Sequence, residues 1–386
     1  MILPALGLAG AAATLPGTIE LLTLTLAALR DRGSPRGAPA GCGKLAVVVP
    51  AHDEEEGIGA CVQSLRACVA PPNGVRIVVI ADNCRDRTAQ VAEAAGAEVL
   101  VRHDAERRGK GYALEVAFAH VLSDPAVEAA LVVDADTEVQ DNFLVAMAAA
   151  FAGGADGVQA PYVVSNPEAS RRARLMHVAL LAFNVARPRG RDRLGLSVGI
   201  LGNGFGLHRR VLERLPYTAR SVVEDLEYHL MMVREGFAVR FVEETCVRAP
   251  VPESAEGQAT QRTRWEGGRF RMIREQAPGL AAEVLRGRLD LLEPLGELLL
   301  LPLATHVGLL GATLLVPFPP TQLYALAGLG VVGAHVATAL KVGGAGRAEL
   351  GALAEVPLYV AKKAVMLPSL LRASGAEQAW VRTARD

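Results

Sequence analysis

"ALVVDADTEV", residues 130–139, is the stretch whose reading decides the fold. An unbroken apolar run has no polar face. As a strand it must be covered on both sides, the habit of a parallel sheet flanked by helices. The run ends on two carboxylates, Asp134 and Asp136, two positions apart. In an extended chain they share a face, and a chain leaving the sheet can turn both toward one ion. Closely spaced carboxylates repel unless a cation or a proton separates them. Such oxygen ligands suit a hard divalent cation that keeps open positions for a diphosphate. A solvated surface turn is the other reading.

Working outward, "LAVVV" (45–49), "RIVVIA" (76–81), "EVLV" (98–101) and "GVQAPYVV" (157–164) are further buried-strand runs. Between them lie helix-like segments at 54–68, 87–97, 110–122 and 142–154. Strands alternating with helices predict an α/β fold with an open, mostly parallel sheet. In such sheets ligands bind beyond the carboxyl ends of the strands, beside a topological switch point.

The chain has 386 residues, enough for one large domain or two modest ones, and a formal net charge of −1. That balance excludes a bulk nucleic-acid binder. Five cysteines without a CxxC pair suit reduced thiols rather than a disulfide framework.

Hydrophobic residues make up 51% of the chain, which directs attention to membrane segments. Residues 1–30 are long and apolar enough for a transmembrane helix, and Arg30, Arg32 and Arg36 follow rather than precede the run. That order argues against a cleaved signal peptide and places the next segment in the cytoplasm. Pro16 and Glu20 are costly in lipid, so a kinked helix packed on a partner is expected. Residues 31–43 have linker composition, and 44–260 form the expected catalytic domain. Residues 291–345 hold two apolar blocks joined by "PFPP", read as two transmembrane helices. Residues 346–386, with Lys362 and Lys363 inside an apolar pattern, read as an amphipathic segment on the membrane surface.

Several strand ends carry chemistry. "PAHDEEEG" (50–57) brings Asp53 to Glu56, of which Glu55 and Glu56 also suit a helix start; His52 has no second His at ligand spacing. In "ADNCRDRT" (81–88), Asp82 can accept hydrogen bonds from a base or ribose, or cap the next helix, as Asp86 can. "GNGFGLHRR" (202–210) has glycines that permit close backbone approach or an ordinary turn. In "SVVEDLEYHL" (221–230), Glu224 and Asp225 are helix-start acids or, facing a metal-diphosphate site, offer a general base. Lys110, in "RRGKGYAL", adds positive charge near phosphates or is a surface lysine at a helix start.

Taken in order, "VVVPAHDEE", "VVIADNCRDRT", "VVDADTEV", "SVVEDLEYH" and "QRTRW" resemble the signature of family 2 glycosyltransferases of GT-A fold. The nearer likeness is to the membrane-integrated branch with cellulose and hyaluronan synthases. The resemblance covers roughly Ala46 to Trp265. It implies an inverting transferase that uses a nucleotide-diphosphate sugar, UDP-linked, with Mg²⁺ or Mn²⁺. On that model Asp53, Glu54 and Asp82 line the uridine pocket, and Asp134 and Asp136 contact nucleotide and metal. Asp225 deprotonates the acceptor, with Glu224 beside it. Gly204 and Phe205 fall in the loop on the acceptor side. Gln261, Arg264 and Trp265 match QxxRW, which contacts the diphosphate and shapes the acceptor site.

On a helix Gln261 and Arg264 share a face with Trp265 beside them, and residues 269–274 continue as a basic amphipathic pattern suited to headgroups. Residues 261–290 are therefore read as interfacial helices. Two departures from the family stand out: fewer spans than a polymer channel needs, and "VVED" in place of "TED".

These readings make the chain a multi-pass protein of the cytoplasmic membrane. Its catalytic domain would face the cytoplasm, and its partners would be membrane lipids, an NDP-sugar and a lipid-linked or glycan acceptor. A processive synthase with partner subunits is the alternative within the class. A non-catalytic nucleotide-sugar binder would have no use for Asp225.

Overall fold

A computed structural model describes residues 2–31, 42–252, 255–361 and 363, so most of the expected linker and of the C-terminal segment lies outside the described residues. In chain order the strands are β1 (Lys44–Ala51), β2 (Val75–Asp82), β3 (Glu98–Arg102), β4 (Val127–Val132), β5 (Glu138–Val139), β6 (Gly157–Gln159), β7 (Tyr162–Val164), β8 (Phe205–His208), β9 (Val239–Phe241) and β10 (Val247–Ala249). The helices up to the sheet's last crossover are α1 (Ile2–Ala28), α2 (Ile58–Ala67), α3 (Thr88–Ala94), α4 (Lys110–Leu122), α5 (Phe143–Ala152), α6 (Arg171–Leu181), α7 (Arg187–Arg193), α8 (Arg209–Arg214) and α9 (Glu224–Arg234). They are followed by α10 (Ala255–Leu285), α11 (Leu292–Leu299), α12 (Leu303–Leu315), α13 (Pro319–Val342) and α14 (Arg347–Ala352).

One unit, residues 33–166 and 196–258, is built on a sheet of order β3-β2-β1-β4-β8-β6-β9. Strands β3, β2, β1 and β4 run parallel, as the apolar runs predict. Leu45 to Val49 are fully buried in succession, which a strand tolerates only when helices cover both faces. The strand order reverses at β1 and β4, so the switch point lies between "PAHDEEEG" and "DADTEV". Antiparallel β8 joins β4 with Phe205 opposite Val132, which lays residues 202–204 beside the carboxyl end of β4. The predicted strand "GVQAPYVV" divides: β6 stays in the large sheet, while β7 pairs with β10 in a sheet of order β5-β10-β7. Pro161, which has no N–H to give a ladder, sits at the division.

The second unit is helical over its described residues: 2–31, 167–195 and 259–361. The segment 167–195 interrupts what the sequence presents as one continuous domain over 44–260. Its helices α6 and α7, joined by a wide π turn at Ala182–Ala186, pack on α1 and α13. Among the described residues two helices, α1 and α13, are long and apolar enough to cross a membrane. The block read as one span at 294–320 is broken instead: residues 289–299 and 303–315 meet at 74°. Pro302 is the physical reason, since it cannot donate to the preceding turn and drives the chain before it toward extended geometry. If the bent pair is one span, the count is three.

Helix α1 carries Pro16 inside it and turns its polar side inward. Thr14 and Thr18 meet Tyr324 Oη at 2.9 and 3.1 Å, and Thr25 meets His335 Nδ1 at 2.9 Å. Glu20, the costly acid, pairs with Arg187 at 2.6 Å. Many of its apolar side chains, among them Ile2, Leu6, Leu8, Ile19 and Leu26, are exposed, whereas Leu21 and Leu24 are buried.

Candidate active site

Strand β4 delivers Asp134 and Asp136 just past its last ladder bond. The Asp134 backbone N–H donates to Asn203 Oδ1 (3.0 Å), and Asn203 Nδ2 donates to Thr137 Oγ1 (2.9 Å). Buried Gln159 then holds the glycine loop from beneath, donating to the Asn203 carbonyl and accepting from Leu201 N–H, both at 2.8 Å. Asn203, Thr137 and Gln159 are all buried and were not singled out from the sequence. The signal was present: Gln159 is the one polar residue in its strand run, and Asn203 sits inside "GNGFG".

Lys110 opens α4 behind Gly109, whose φ of +120° a side chain would resist. It is no surface lysine. Its ammonium donates to Asp134 Oδ1 (2.6 Å) and to the Gly202 carbonyl (2.5 Å). Asp225, in the first turn of α9, lies against the same glycine: a Cβ on Gly202 would stand 3.0 Å from Asp225 Oδ2. Gly202 itself sits at φ +79°, so the loop needs glycine there on both counts. Burial lowers the affinity of Lys110 for its proton, but Asp134, Glu224 and Asp225 outweigh it and hold the ammonium charged. Burial pushes Asp225 above the ordinary carboxylate range and Glu224 up to about 7; the charge on Lys110 opposes both shifts. Structure thus brings Lys110, Asp134, Glu224 and Asp225 together.

Other expected residues are arranged differently. Asp53 adopts φ +53° and accepts from the Arg85 N–H at 2.6 Å. Glu54 lies beside it at the start of the turn into α2, its N–H donating to Thr88 Oγ1 at 2.8 Å. Asp82 is buried, and its Oδ1 already takes Arg102 (2.6 Å) and Asn83 (3.0 Å). Asp86 does the capping: it accepts from the N–H groups of Thr88 (2.9 Å) and Glu55 (3.0 Å). His52 Nδ1 bonds the Asp82 carbonyl at 2.7 Å, a structural use. Phe205 is strand rather than loop and its ring is buried, so only its backbone and Gly204, at φ +67°, can border a ligand.

All five cysteines are free, and burial pushes every thiol up, away from reactivity. Asp53, Cys84 and Asp86 also form a group whose possible ligand atoms lie within 4.8 Å of one another, apart from Asp134 and Asp136. Asp53 and Asp86 spend oxygens on backbone N–H groups there.

Gln261, Arg264 and Trp265 lie on α10, in the helical unit, and are half-buried. Next to them Glu266 takes Lys363 at 2.6 Å, so that lysine faces protein rather than headgroups. Arg269, expected at the membrane surface, instead donates to the Glu297 carbonyl at the end of α11 (2.6 Å), and Arg271 pairs with Glu275 at 2.7 Å. Free helix-end carbonyls need such donors, which explains why Arg269 turns inward while Arg274 stays exposed.

A family model described as glycosyltransferase-like family 2 matches residues 42–268. The chain belongs to that family. Among curated proteins, the chain is 24% identical over 234 residues to the probable glycosyltransferase YdaM of Bacillus subtilis, a match that covers 58% of the chain and 55% of YdaM. It is 36% identical over 80 residues to the low-salt glycan biosynthesis hexosyltransferase Agl6 of Haloferax volcanii, covering 21% of the chain and 19% of Agl6. The chain therefore spans about half the length of the first relative and less of the second. Among solved structures it resembles the mannosyltransferase PcManGT of Pyrobaculum calidifontis, in complex with GDP-Man and Mn²⁺. That likeness has a TM-score of 0.58 at 17% identity, over 92% of this chain and 98% of the other, and it supports the GT-A fold.

Proposed function

We propose that this protein is a membrane-bound inverting glycosyltransferase that moves a sugar from a nucleotide diphosphate to a lipid-linked or glycan acceptor at the cytoplasmic face. The observation that carries it is the Lys110 ammonium, held between Asp134 and the Gly202 carbonyl with Asp225 against the same glycine. A fixed cation beside one carboxylate, with a second carboxylate against the same glycine, supports a donor diphosphate and an acceptor base at one site.

Asp134 and Asp136 form an all-oxygen pair whose chemistry fits Mg²⁺ or Mn²⁺ bound together with a diphosphate. When bound, such an ion neutralises charge on the leaving diphosphate. Lys110 does the same from the protein side, at no reorganisation cost because it is already in place. Asp225 takes the acceptor proton as the hydroxyl attacks the anomeric carbon from the face opposite the leaving group, which inverts that centre. Its raised proton affinity brings it nearer the operating pH, where a general base is most effective. Asp53 and Glu54 would border the nucleoside; Asp82 would contribute through the Arg102 pair it holds.

The membrane reading rests on α1: Thr14, Thr18, Thr25, Gly7, Gly10, Gly17 and Glu20 face protein, while Ile2, Leu6, Leu8, Leu15, Ile19, Leu22 and Leu26 are exposed, the inverse of a water-facing helix. With it go the spans within 291–345 and a catalytic domain drawn from 44–260 without its helical insert at 167–195.

The test is nucleotide release by the purified full chain with UDP- and GDP-sugars, with and without Mn²⁺, offered lipid and glycan acceptors. Asp225→Asn should cut turnover by roughly 10²–10⁴-fold while nucleotide binding persists. Undiminished turnover in that variant sinks the mechanism.

A further inference from the structure

The segment between α8 and α9, residues 215–223, leads into Glu224 and Asp225 and has little of its own to hold it. The hydroxyls of Tyr217 and Ser221 are buried there without a hydrogen-bond partner among the described residues. Each such group opposes burial. Its fastening comes from α4. Arg220 donates to the carbonyls of Gly111 (3.2 Å), Tyr217 (3.3 Å) and Ala219 (3.0 Å), and pairs with Glu115 at 2.5 Å. Its guanidinium lies over the Tyr112 ring, 4.3 Å from the centroid.

A Cβ on Gly111 would run into the Ala219 carbonyl, so the two backbones touch. Two turns further along α4, Phe118 meets Tyr217 edge-on at 5.3 Å, and the Tyr217 ring lies tilted against Tyr228 of α9 at 4.4 Å. From the other side Glu227 accepts the N–H groups of Arg220 (3.0 Å) and Ser221 (2.8 Å). Residues 111, 115 and 118 lie on one face of α4, one residue past the lysine.

We propose that Arg220 is a positioning residue: it fastens the segment before α9 to the helix that begins with Lys110, and so sets where Asp225 stands relative to that lysine. Helix α4 is the fixed partner, since it packs on β1, β2 and β4. Arginine suits the post because one planar group reaches several carbonyls, a carboxylate and a ring face together; lysine reaches fewer. The proposal rests on the reading of Asp225 as the base.

Two measurements on the full chain decide it. Hydrogen exchange in Arg220→Ala should accelerate at residues 216–226 and leave β1 to β4 unchanged. Turnover at saturating substrates should fall about tenfold to a hundredfold, the cost of a misplaced group, while UDP or GDP affinity with Mn²⁺ stays within about twofold. Arg220→Lys should recover part of the rate. Gly111→Ala, which pushes the segment away without removing charge, should reproduce the loss. Unchanged exchange overturns the proposal, and so does faster exchange with a wild-type rate. If Asp225→Asn keeps its turnover, the base assignment falls and takes the proposal with it. If that variant is dead while Arg220→Ala runs at full rate, only the proposal falls.

Discussion

Two charged clusters, one in each unit, use their carboxylates in opposite ways. In the helical unit Arg191 is 2% exposed and reaches Glu293 (2.7 Å) and Glu297 (3.1 Å), while Arg187 takes Glu20 at 2.6 Å. Arg189 and Arg193 spend their guanidinium groups on the Ala28 and Arg30 carbonyls at the end of α1, at 2.7 and 3.2 Å. Charge meets charge there, and helix ends are closed. In the sheet unit Lys110 faces Asp134, Glu224 and Asp225 together. Negative charge is in excess, and burial raises the proton affinity of both acids on α9. A cluster balanced within itself holds helices together. One left short of cations is a site that a metal, a phosphate partner or a proton can complete.

The largest expected effect breaks the balanced cluster. Arg191→Ala leaves Glu293 and Glu297 without their main cation in a poorly hydrated setting and should cost about 3–5 kcal/mol. Thermal unfolding of the protein in detergent reads this directly. Sugar transfer per folded molecule should stay near wild type. A melting temperature within a degree or so of wild type would mean that this network is ornamental, and the contrast between the clusters would fail.

How much of this was legible in the sequence follows the same division. The strand runs, the switch-point acids and the family signature could be read because each is local: an apolar run of five residues dictates a covered strand whatever surrounds it. Lys110 remained ambiguous because its meaning lies in a carbonyl 92 positions away. The arginines of α7 gave no signal, since a polar, proline-bearing "RPRGRDR" looks like a loop until α1 and α11 supply its partners. Arg269 misled for a related reason: an arginine pattern looks the same whether it faces headgroups or helix-end carbonyls. Tertiary pairing, not local pattern, decided each of these.

A smaller effect separates the clusters by sign. Burial pushes Glu224 from the ordinary carboxylate range up to about 7, against the pull of the Lys110 charge. The folded state therefore keeps a proton that the unfolded chain has lost, and stability falls as pH rises across that window. Glu224→Gln should remove this slope: the variant should melt at the same temperature at pH 5 and pH 7.5, and above wild type at the higher pH. Glu297→Gln, which weakens the Arg191 network, should melt lower at both. A wild-type protein whose stability climbs through the same window would show that Glu224 is ionised throughout, with Lys110 the stronger influence.

The smallest effect calibrates the other two. Arg214 and Glu235 sit 3.3 Å apart, with 69% and 42% of their side chains exposed. Water screens such a pair and ordering two long side chains offsets most of its attraction, so Arg214→Ala should change stability by less than about 0.5 kcal/mol. Both residues lie in the sheet unit, on α8 and just past α9, close in sequence to the segment that Arg220 fastens. If Arg214→Ala slowed transfer as Arg220→Ala is expected to, any loosening near α9 would suffice. The Arg220 effect would then reflect general softness rather than a specific placement of Asp225. An unchanged rate and melting temperature in Arg214→Ala, set against a slowed Arg220→Ala, assigns the difference to the contacts with α4, because those are what distinguish the two arginines.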